Sequence, residues 1–285
     1  MIAPAAIYWD PKPEFFTIPI LHWPILWYGV LFALGFAVGF PLFAGVLTRF
    51  FACESREGWA ALKKKAIQLT DKFTLYVILG TIIGARLGHF LFYEHPLDYF
   101  NDPLQIFRVW EGGLASHGGA VGIILATMLF SYRMGIKGID WIRWLDFLSV
   151  PAAFAGFCIR VGNFFNQEIL GTPTNLPWAV VFGHPADHSL PIPRHPVQLY
   201  EAFFYLLVFF FLWRLSYRPS ILQAKGKLIG LFLILVFGFR FLVEYLKVEQ
   251  SLLVSTASSL TMGQALSLPA IILGIVFFFW NRKRS

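Results

Sequence analysis

The sequence predicts an all-α polytopic membrane protein with seven transmembrane helices. The N-terminus is expected outside and the C-terminus in the cytoplasm, with a small irregular extracytoplasmic head. Three observations predict this. Of 285 residues, 57% are hydrophobic, 18% aromatic and only 14% charged, where an average soluble domain carries roughly 25% charged residues. Apolar stretches of about 20 residues, the length that crosses a bilayer, recur along the whole chain. Lysine and arginine gather after alternate stretches, which is positive-inside patterning. A disordered chain, a disulfide scaffold and an ordinary cytosolic domain are excluded. The two cysteines, Cys53 and Cys158, lie far apart and frame no set of bridges.

The spans read at 25–47, 73–93, 118–134, 144–162, 197–215, 228–246 and 264–280. Residues 1–9 hold neither a basic n-region nor a cleavage site, so insertion is expected to rely on the first span. The third span is short and opens on glycines, while Pro151 is expected to kink the fourth. Arg49, Arg56, Lys63, Lys64, Lys65 and Lys72 are expected in the loop after span 1, and Arg133, Lys137 and Arg143 in the loop after span 3. Arg214, Arg218, Lys225 and Lys227 follow span 5, and Arg282, Lys283 and Arg284 close the chain. These sixteen of the 23 basic residues set one face as cytoplasmic. The net charge of +7 is therefore mainly an orientation signal. No nucleic-acid partner is expected, because Lys63–Lys65 lacks interleaved aromatics and suits lipid head groups.

The whole chain, 1–285, reads as a single integral membrane domain. Residues 94–116 form an interfacial arm, with Asp102-Pro103 ahead of Ile106, Phe107 and Trp110 as a short helix. Residues 163–196, broken by Pro173, Pro177, Pro185, Pro191 and Pro193, form the extracytoplasmic head segment. Within it Trp178 to Phe182 suit a short strand. No internal repeat is evident.

Seven basic residues remain: Lys12, Arg86, Arg108, Arg160, Arg194, Arg240 and Lys247. A charge near the centre of a span costs roughly 2.5–3.5 kcal/mol on insertion scales. Arg86 lies in Gly84-Ala85-Arg86-Leu87-Gly88, Arg160 in Cys158-Ile159-Arg160-Val161-Gly162-Asn163, and Arg240 four residues before Glu244. Each has a bland reading. Arg86 and Arg160 would snorkel to head groups, and Arg240 with Glu244 would be an intrahelical ion pair. Three arginines in the outer halves of three different spans favour the functional reading. A guanidinium binds phosphate in a fork and stays charged, so the cluster suits a phospholipid head group.

Three polar runs accompany the arginines. Glu111-Gly112-Gly113-Leu114-Ala115-Ser116-His117-Gly118-Gly119 leads into span 3; Gly118 and Gly119 would let a ligand approach, and His117 would move a proton at the membrane boundary. Its bland reading is a helix start with a packed histidine. Arg160-Val161-Gly162-Asn163-Phe164-Phe165-Asn166-Gln167-Glu168 closes span 4, placing Arg160 and Asn163 on one helical face. Arg194-His195-Pro196-Val197-Gln198-Leu199-Tyr200-Glu201 opens span 5.

Together with Trp27-Tyr28-Gly29 and Phe239-Arg240-Phe241-Leu242-Val243-Glu244, these runs resemble the bacterial prolipoprotein diacylglyceryl transferase family. The resemblance extends in order from residue 27 to 244; residues 50–72 and 247–262 carry none of it. One departure is Ala115-Ser116 ahead of His117, where an aromatic often precedes the histidine. The resemblance implies transfer of a diacylglyceryl group from phosphatidylglycerol to the lipobox cysteine of a prolipoprotein. A thioether forms and glycerol phosphate leaves, the first step of bacterial lipoprotein maturation. It implies the cytoplasmic (inner) membrane, an active site toward the outer leaflet, phosphatidylglycerol, the prolipoprotein signal peptide and membrane lipids as partners, and no cofactor.

By that resemblance Arg160 and Arg240 grip the phosphate, while Asn163, Glu168 and Glu244 orient them or the glycerol. Tyr28 and His117 sit near the reacting centre. Either His117 is the base, or Arg240 supplies the field that favours thiolate. Arg86 and Glu201 support the site, with Gly118 and Gly119 lining it. Other chemistries fit less well. Cys158 in an apolar span is an inert packing thiol, and Cys53 faces a reducing compartment. His184, His188 and His195 lack a helical metal signature, so no metal is expected. A transporter would need two-sided access and usually repeats. An intramembrane protease would need a Ser–His or Asp pair, and Asp146 is the lone aspartate in a span. A different phospholipid head-group transferase is the closer rival, which the residues alone do not separate.

Overall fold

In lipid every backbone N–H and C=O must find a partner within the chain, so long apolar stretches close into helices. A computed structural model shows this outcome for the described residues, which are 6–19, 23–93, 106, 108, 113, 115–248 and 260–280. The helices are α1 (Trp27–Glu54), α2 (Trp59–Tyr93), α3 (Ser116–Met134), α4 (Trp141–Phe165), α5 (Val197–Leu215), the short α6 (Pro219–Leu222), α7 (Lys227–Val243) and α8 (Met262–Phe279). A 3-10 turn, Glu244–Leu246, extends α7.

Six helices among the described residues are long and apolar enough to cross a membrane: α1, α2, α4, α5, α7 with its extension, and α8. The expected third span does form a helix, α3, but falls short of that measure. Ser116, His117, Gly118 and Gly119 at one end and Arg133 at the other leave its 19 residues too polar. Nor is the chain wholly helical. Among the described residues five short strands, β1 (Ile7–Trp9), β2 (Glu14–Ile18), β3 (Trp23–Leu26), β4 (Val180–Phe182) and β5 (Pro193–Arg194), accompany the helices. The strand expected at Trp178 to Phe182 is present from Val180; those before α1 were not expected. The interfacial arm at 94–116 lies almost entirely outside the described residues.

Two compact units divide the chain, one of Met1–Phe43 with Leu148–Ser285 and the other of Ala44–Phe147. In the second, Lys63–Lys65 and Lys72 ride on α2 rather than in a loop. Leu62, Ala66, Thr70, Phe73 and Val77 explain why, because they recur at helical spacing and all are buried. Phe73 stacks on Trp144 at 5.4 Å and meets Phe130 edge-on at 5.1 Å. Asp140 accepts the Arg143 N–H at 3.1 Å, capping α4. Further along, α2 and α3 meet through glycines at four-residue spacing, Gly80, Gly84 and Gly88 against Gly118 and Gly122. A Cβ at Gly122 would sit 2.9 Å from the Gly80 carbonyl carbon and 3.0 Å from Gly84 Cα. Only bare backbone permits this approach.

In the first unit α4 runs unbroken through Pro151, whose ring faces Gly39 of α1 at 3.4 Å from where a Cβ would stand. Phe204 of α5 stacks flat on Phe239 of α7 at 4.0 Å, and Gly230 of α7 meets Gly274 of α8. In the head β4 pairs in parallel with β1 and antiparallel with β5. Phe164, Leu170, Val180 and Phe182 form the core of this head, with Trp9 against it. The Trp9 indole N–H donates to the Phe164 carbonyl at 3.1 Å. Strands β2 and β3 form a hairpin that runs directly into α1. Two backbone bonds, Thr172 N to Leu246 O at 2.8 Å and Val248 N to Leu170 O at 3.0 Å, tie the end of α7 to the head.

Replacing Gly122 by Val should force α2 and α3 apart and destabilise the protein by about 1–3 kcal/mol, the usual scale of overpacking. Gly119→Ala, whose new Cβ would meet nothing nearer than 3.6 Å, should melt like the wild type. Thermal unfolding in detergent checks both. At the head, the Asp10 carboxyl is held below its ordinary value of 3.8, first by its bond to His184 and then by Gln167, against some desolvation. A lowered carboxyl stabilises the fold above its unfolded pKa, and that contribution fades as pH falls from about 4 through the lowered value. Acid titration of Asp10→Asn should therefore lack this component, and an unchanged acid transition would remove the link from the stability of the head.

Candidate active site

The charged groups of the first unit converge where α4, α5 and α7 end or begin. Arg160 lies in the last turns of α4, 8% exposed, and Glu201 near the start of α5, fully buried. Arg160 Nε stands 3.2 Å from Glu201 Oε2. Lys247, just past α7, places its ammonium 3.1 Å from Glu201 Oε1 and 3.2 Å from Glu244 Oε2. The Tyr205 hydroxyl donates to Glu201 Oε1 at 3.3 Å, and the Arg160 guanidinium lies 6.0 Å from the Tyr205 ring centre. Half-buried Arg240 stands near enough for its charge to act on Glu201, Tyr205 and Lys247. Two cations thus contact the carboxylates and a third lies within electrostatic reach of Glu201, an excess of positive charge that suits an anion.

A second line of contacts leads out from Arg160. Its Nη1 donates to Asn163 Oδ1 at 3.0 Å, and Asn163 Nδ2 donates to Glu168 Oε1 at 2.8 Å. Asn166 adds a bond to the same oxygen at 3.2 Å. Glu168 can turn back this way because its neighbours Gln167 and Ile169 are left-handed, with φ of 52° and 57°. Non-glycine residues in that region cost on the order of 1–3 kcal/mol each and persist where the surroundings over-determine them. The Gln198 amide fixes the Glu168 carbonyl at 2.7 Å. Tyr28, at the start of α1, lays its ring on Gly162, where a Cβ would stand 2.8 Å from Tyr28 Cδ2. Both Arg160 and Glu168 act on it electrostatically.

Arg86, His117, Gly118 and Gly119 belong to the second unit. Arg86 is buried and donates from Nε to the Ile106 carbonyl at 3.1 Å and from Nη1 to the Gly113 carbonyl at 3.2 Å. It thereby holds the peptide that leads into α3, where Gly113 is left-handed at φ 69°. His117 is the second residue of α3, half-buried, with its ring edge-on to Phe92 at 5.2 Å. Gly118 spends its bare face on Gly84 and Gly88. Gly119 has ordinary space around it.

Sequence reasoning passed over Lys247, Tyr205 and Gly263. Lys247 had a signal, since it follows Glu244 by three residues and was left over from the topology residues. Tyr205 follows Glu201 by four, one turn further along α5. Gly263 had none: its missing Cβ leaves room for the Glu244 carboxylate against the first turn of α8. Among the described residues no three His, Cys, Asp or Glu side chains are grouped as a metal centre needs.

Comparison with known proteins gives consistent matches. A family model described as prolipoprotein diacylglyceryl transferase matches residues 13–280. The chain is 36% identical to the phosphatidylglycerol–prolipoprotein diacylglyceryl transferase of Protochlamydia amoebophila (strain UWE25), over 98% of this chain and 96% of that protein. Identity to the protein of that name from Chloroherpeton thalassium is 40%, over 98% and 96% of the two chains. For the one from Chlamydia trachomatis serovar D it is 38%, over 98% of this chain and 100% of the relative.

Removing the shared carboxylate should be costly. Glu201→Leu leaves two cations without it, and loss of one side of a buried ion pair typically destabilises by about 3–5 kcal/mol. Glu201→Gln retains an acceptor for Tyr205 and Lys247 and should lose less. Denaturant unfolding of the purified variants measures this; a Leu variant as stable as the wild type would show that the network does not hold the bundle.

Proposed function

The chain belongs to the prolipoprotein diacylglyceryl transferase family, and from that membership we infer that it is a membrane transferase of lipoprotein biosynthesis. It moves the diacylglyceryl group of phosphatidylglycerol onto the lipobox cysteine of a prolipoprotein. The observation that carries the site assignment is the buried Arg160–Glu201–Lys247 network with Arg240 beside it. In this reading the protein is one integral membrane domain of the bacterial cytoplasmic membrane, with 94–116 as its arm and 163–196 as its head. Helix α3 is the third of seven spans. Its glycine contact with α2 supports this, because a helix shielded by a neighbour need not be apolar on every face. The sixteen basic residues that follow spans 1, 3, 5 and 7 support an outside N-terminus and a site toward the outer leaflet.

The chemistry follows from the groups involved. The substrate thiol has an ordinary pKa of about 8.5, so the nucleophile must be generated or stabilised as thiolate. Its sulfur forms a bond to the glycerol carbon as that carbon's bond to the phosphate oxygen breaks. The electron pair leaves with glycerol phosphate, and the thiol proton passes to a base or to solvent. Stabilising the departing phosphate is the main electrostatic task. Arg240 and Arg160 perform it, with Arg160 held in place by Glu201 at Nε and Asn163 at Nη1. Glu168 and Glu244 orient the glycerol and the cations, Tyr28 stands beside the reacting centre, and Arg86 fixes the approach to α3. Gly118 and Gly119 keep the start of α3 slim beside His117. The proton is taken by His117, or the field of Arg240 lowers the thiol pKa without a base.

Purified protein, phosphatidylglycerol vesicles and a lipobox peptide test this directly, by release of glycerol phosphate and by the peptide mass. The Cys peptide should gain a diacylglyceryl group and a Cys→Ser peptide should not; no gain on the Cys peptide overturns the reading. Arg160→Ala and Arg240→Ala should each slow transfer by about 10²–10³, the scale for loss of one stabilising donor. His117→Gln should slow it by about 10²–10⁴ if the histidine is the base. That deficit should then shrink as pH rises toward the thiol pKa. An unchanged rate and pH profile takes His117 out of the chemistry.

A further inference from the structure

Resting on that functional reading, we propose that Gln167 is a positioning residue of the transfer site, clamped by Asp10 and His184 so that Glu168 faces Asn163. Gln167 is 4% exposed, and all of its polar groups are engaged. Its side-chain Nε2 donates to Asp10 Oδ1 at 3.1 Å, while Oε1 accepts the His184 backbone N–H at 2.8 Å. Its own N–H reaches the Phe164 carbonyl at 3.2 Å, and its carbonyl accepts from Ala186 N at 3.0 Å. Asp10 in turn meets His184 Nδ1 at 2.6 Å and accepts from the Tyr8 hydroxyl at 3.4 Å. The clamp therefore joins three stretches of chain: the end of β1, the loop after β4 and the exit of α4.

The geometry explains why a clamp is needed. Left-handed backbone at Gln167, and at the β-branched Ile169, is disfavoured, and an unrestrained segment would relax to extended or helical conformation. Relaxation would swing Glu168 away from Asn163, whose Oδ1 holds Arg160 Nη1. Asn163 O also accepts the Glu168 N–H at 3.1 Å, so side chain and backbone would be lost together. Gly183 fits the same design, because a Cβ there would press on the Asp10 side chain. The head of the first unit thus sets the direction of a carboxylate that reaches Arg160 through one amide.

Two measurements test the clamp. Deuterium uptake of the peptide covering 163–169 should rise in Gln167→Ala and in Asp10→Ala. Unchanged uptake in both overturns the clamp, whether or not the protein transfers lipid. Transfer by Gln167→Ala should fall about 10- to 100-fold, the loss that follows when a site group is misplaced by about an ångström. On a Glu168→Gln background the same substitution should cost almost nothing more, because Gln167 acts through Glu168. An equal loss on both backgrounds would mean general destabilisation and overturns the positioning role. Gln167→Glu should be impaired beside Asp10, and Gln167→Glu with Asp10→Asn should recover, since donor and acceptor are then exchanged. If the wild type releases no glycerol phosphate, the functional reading fails. If it does and Gln167→Ala keeps pace with it, the clamp fails alone.

Discussion

Glu201 is a carboxylate with no exposure to solvent, set in a bundle of apolar helices. Burying such a charge is costly unless cations and hydrogen bonds surround it. The surrounding structure supplies both. Arg160 arrives from α4, Lys247 from the end of α7, and Tyr205 from one turn along the same helix. None of these groups could move far without stranding the others. The network thus ties three helices to one point and keeps Arg160 oriented. Lys247 owes its place to the short backbone pairing between residues 170–172 and 246–248. The head therefore does more than cover the helices; it draws a cation onto the buried carboxylate.

The second unit is organised by approach rather than by charge. Gly80, Gly84 and Gly88 let α2 touch α3 backbone to backbone, and Gly118 and Gly122 answer them. Arg86, just beside this contact, donates to the carbonyls of Ile106 and Gly113. The peptide ahead of α3 is held by a side chain that the sequence alone suggested as a ligand group. Both uses draw on the same property, a rigid fork of donors on a charge that persists at any relevant pH.

Much of the membrane architecture was legible because lipid imposes length and polarity on each span. Apolar stretches marked α1, α4, α5, α7 and α8. Short-range competition hid the rest. Lys63–Lys65 looked like a loop until the buried stripe from Leu62 to Val77 showed a continuous helix. Residues 7–26, rich in proline, gave no periodic pattern long enough to mark strands, whose partner β4 lies far along the chain. Arg160 and Glu244 stood out because charge within or beside a span demands a reason, and Glu201 because its run resembles the family. Lys247 carried the same kind of signal but was given no role, and Gln167, uncharged, carried none.

By itself the sequence determined that this is a helical membrane chain, which of its charges are costly, and which short runs resemble a transferase family. These are local properties, carried by composition, spacing and the bilayer's intolerance of unpaired polar groups. Only the tertiary structure decided which charges meet. It joined Arg160 to Glu201 across 41 positions and Glu201 to Lys247 across a further 46. It also showed that Gln167, at a helix end, is braced by Asp10 from the far N-terminus. Pairings of this kind depend on how distant segments fold back on one another, and no local pattern in a single chain encodes them.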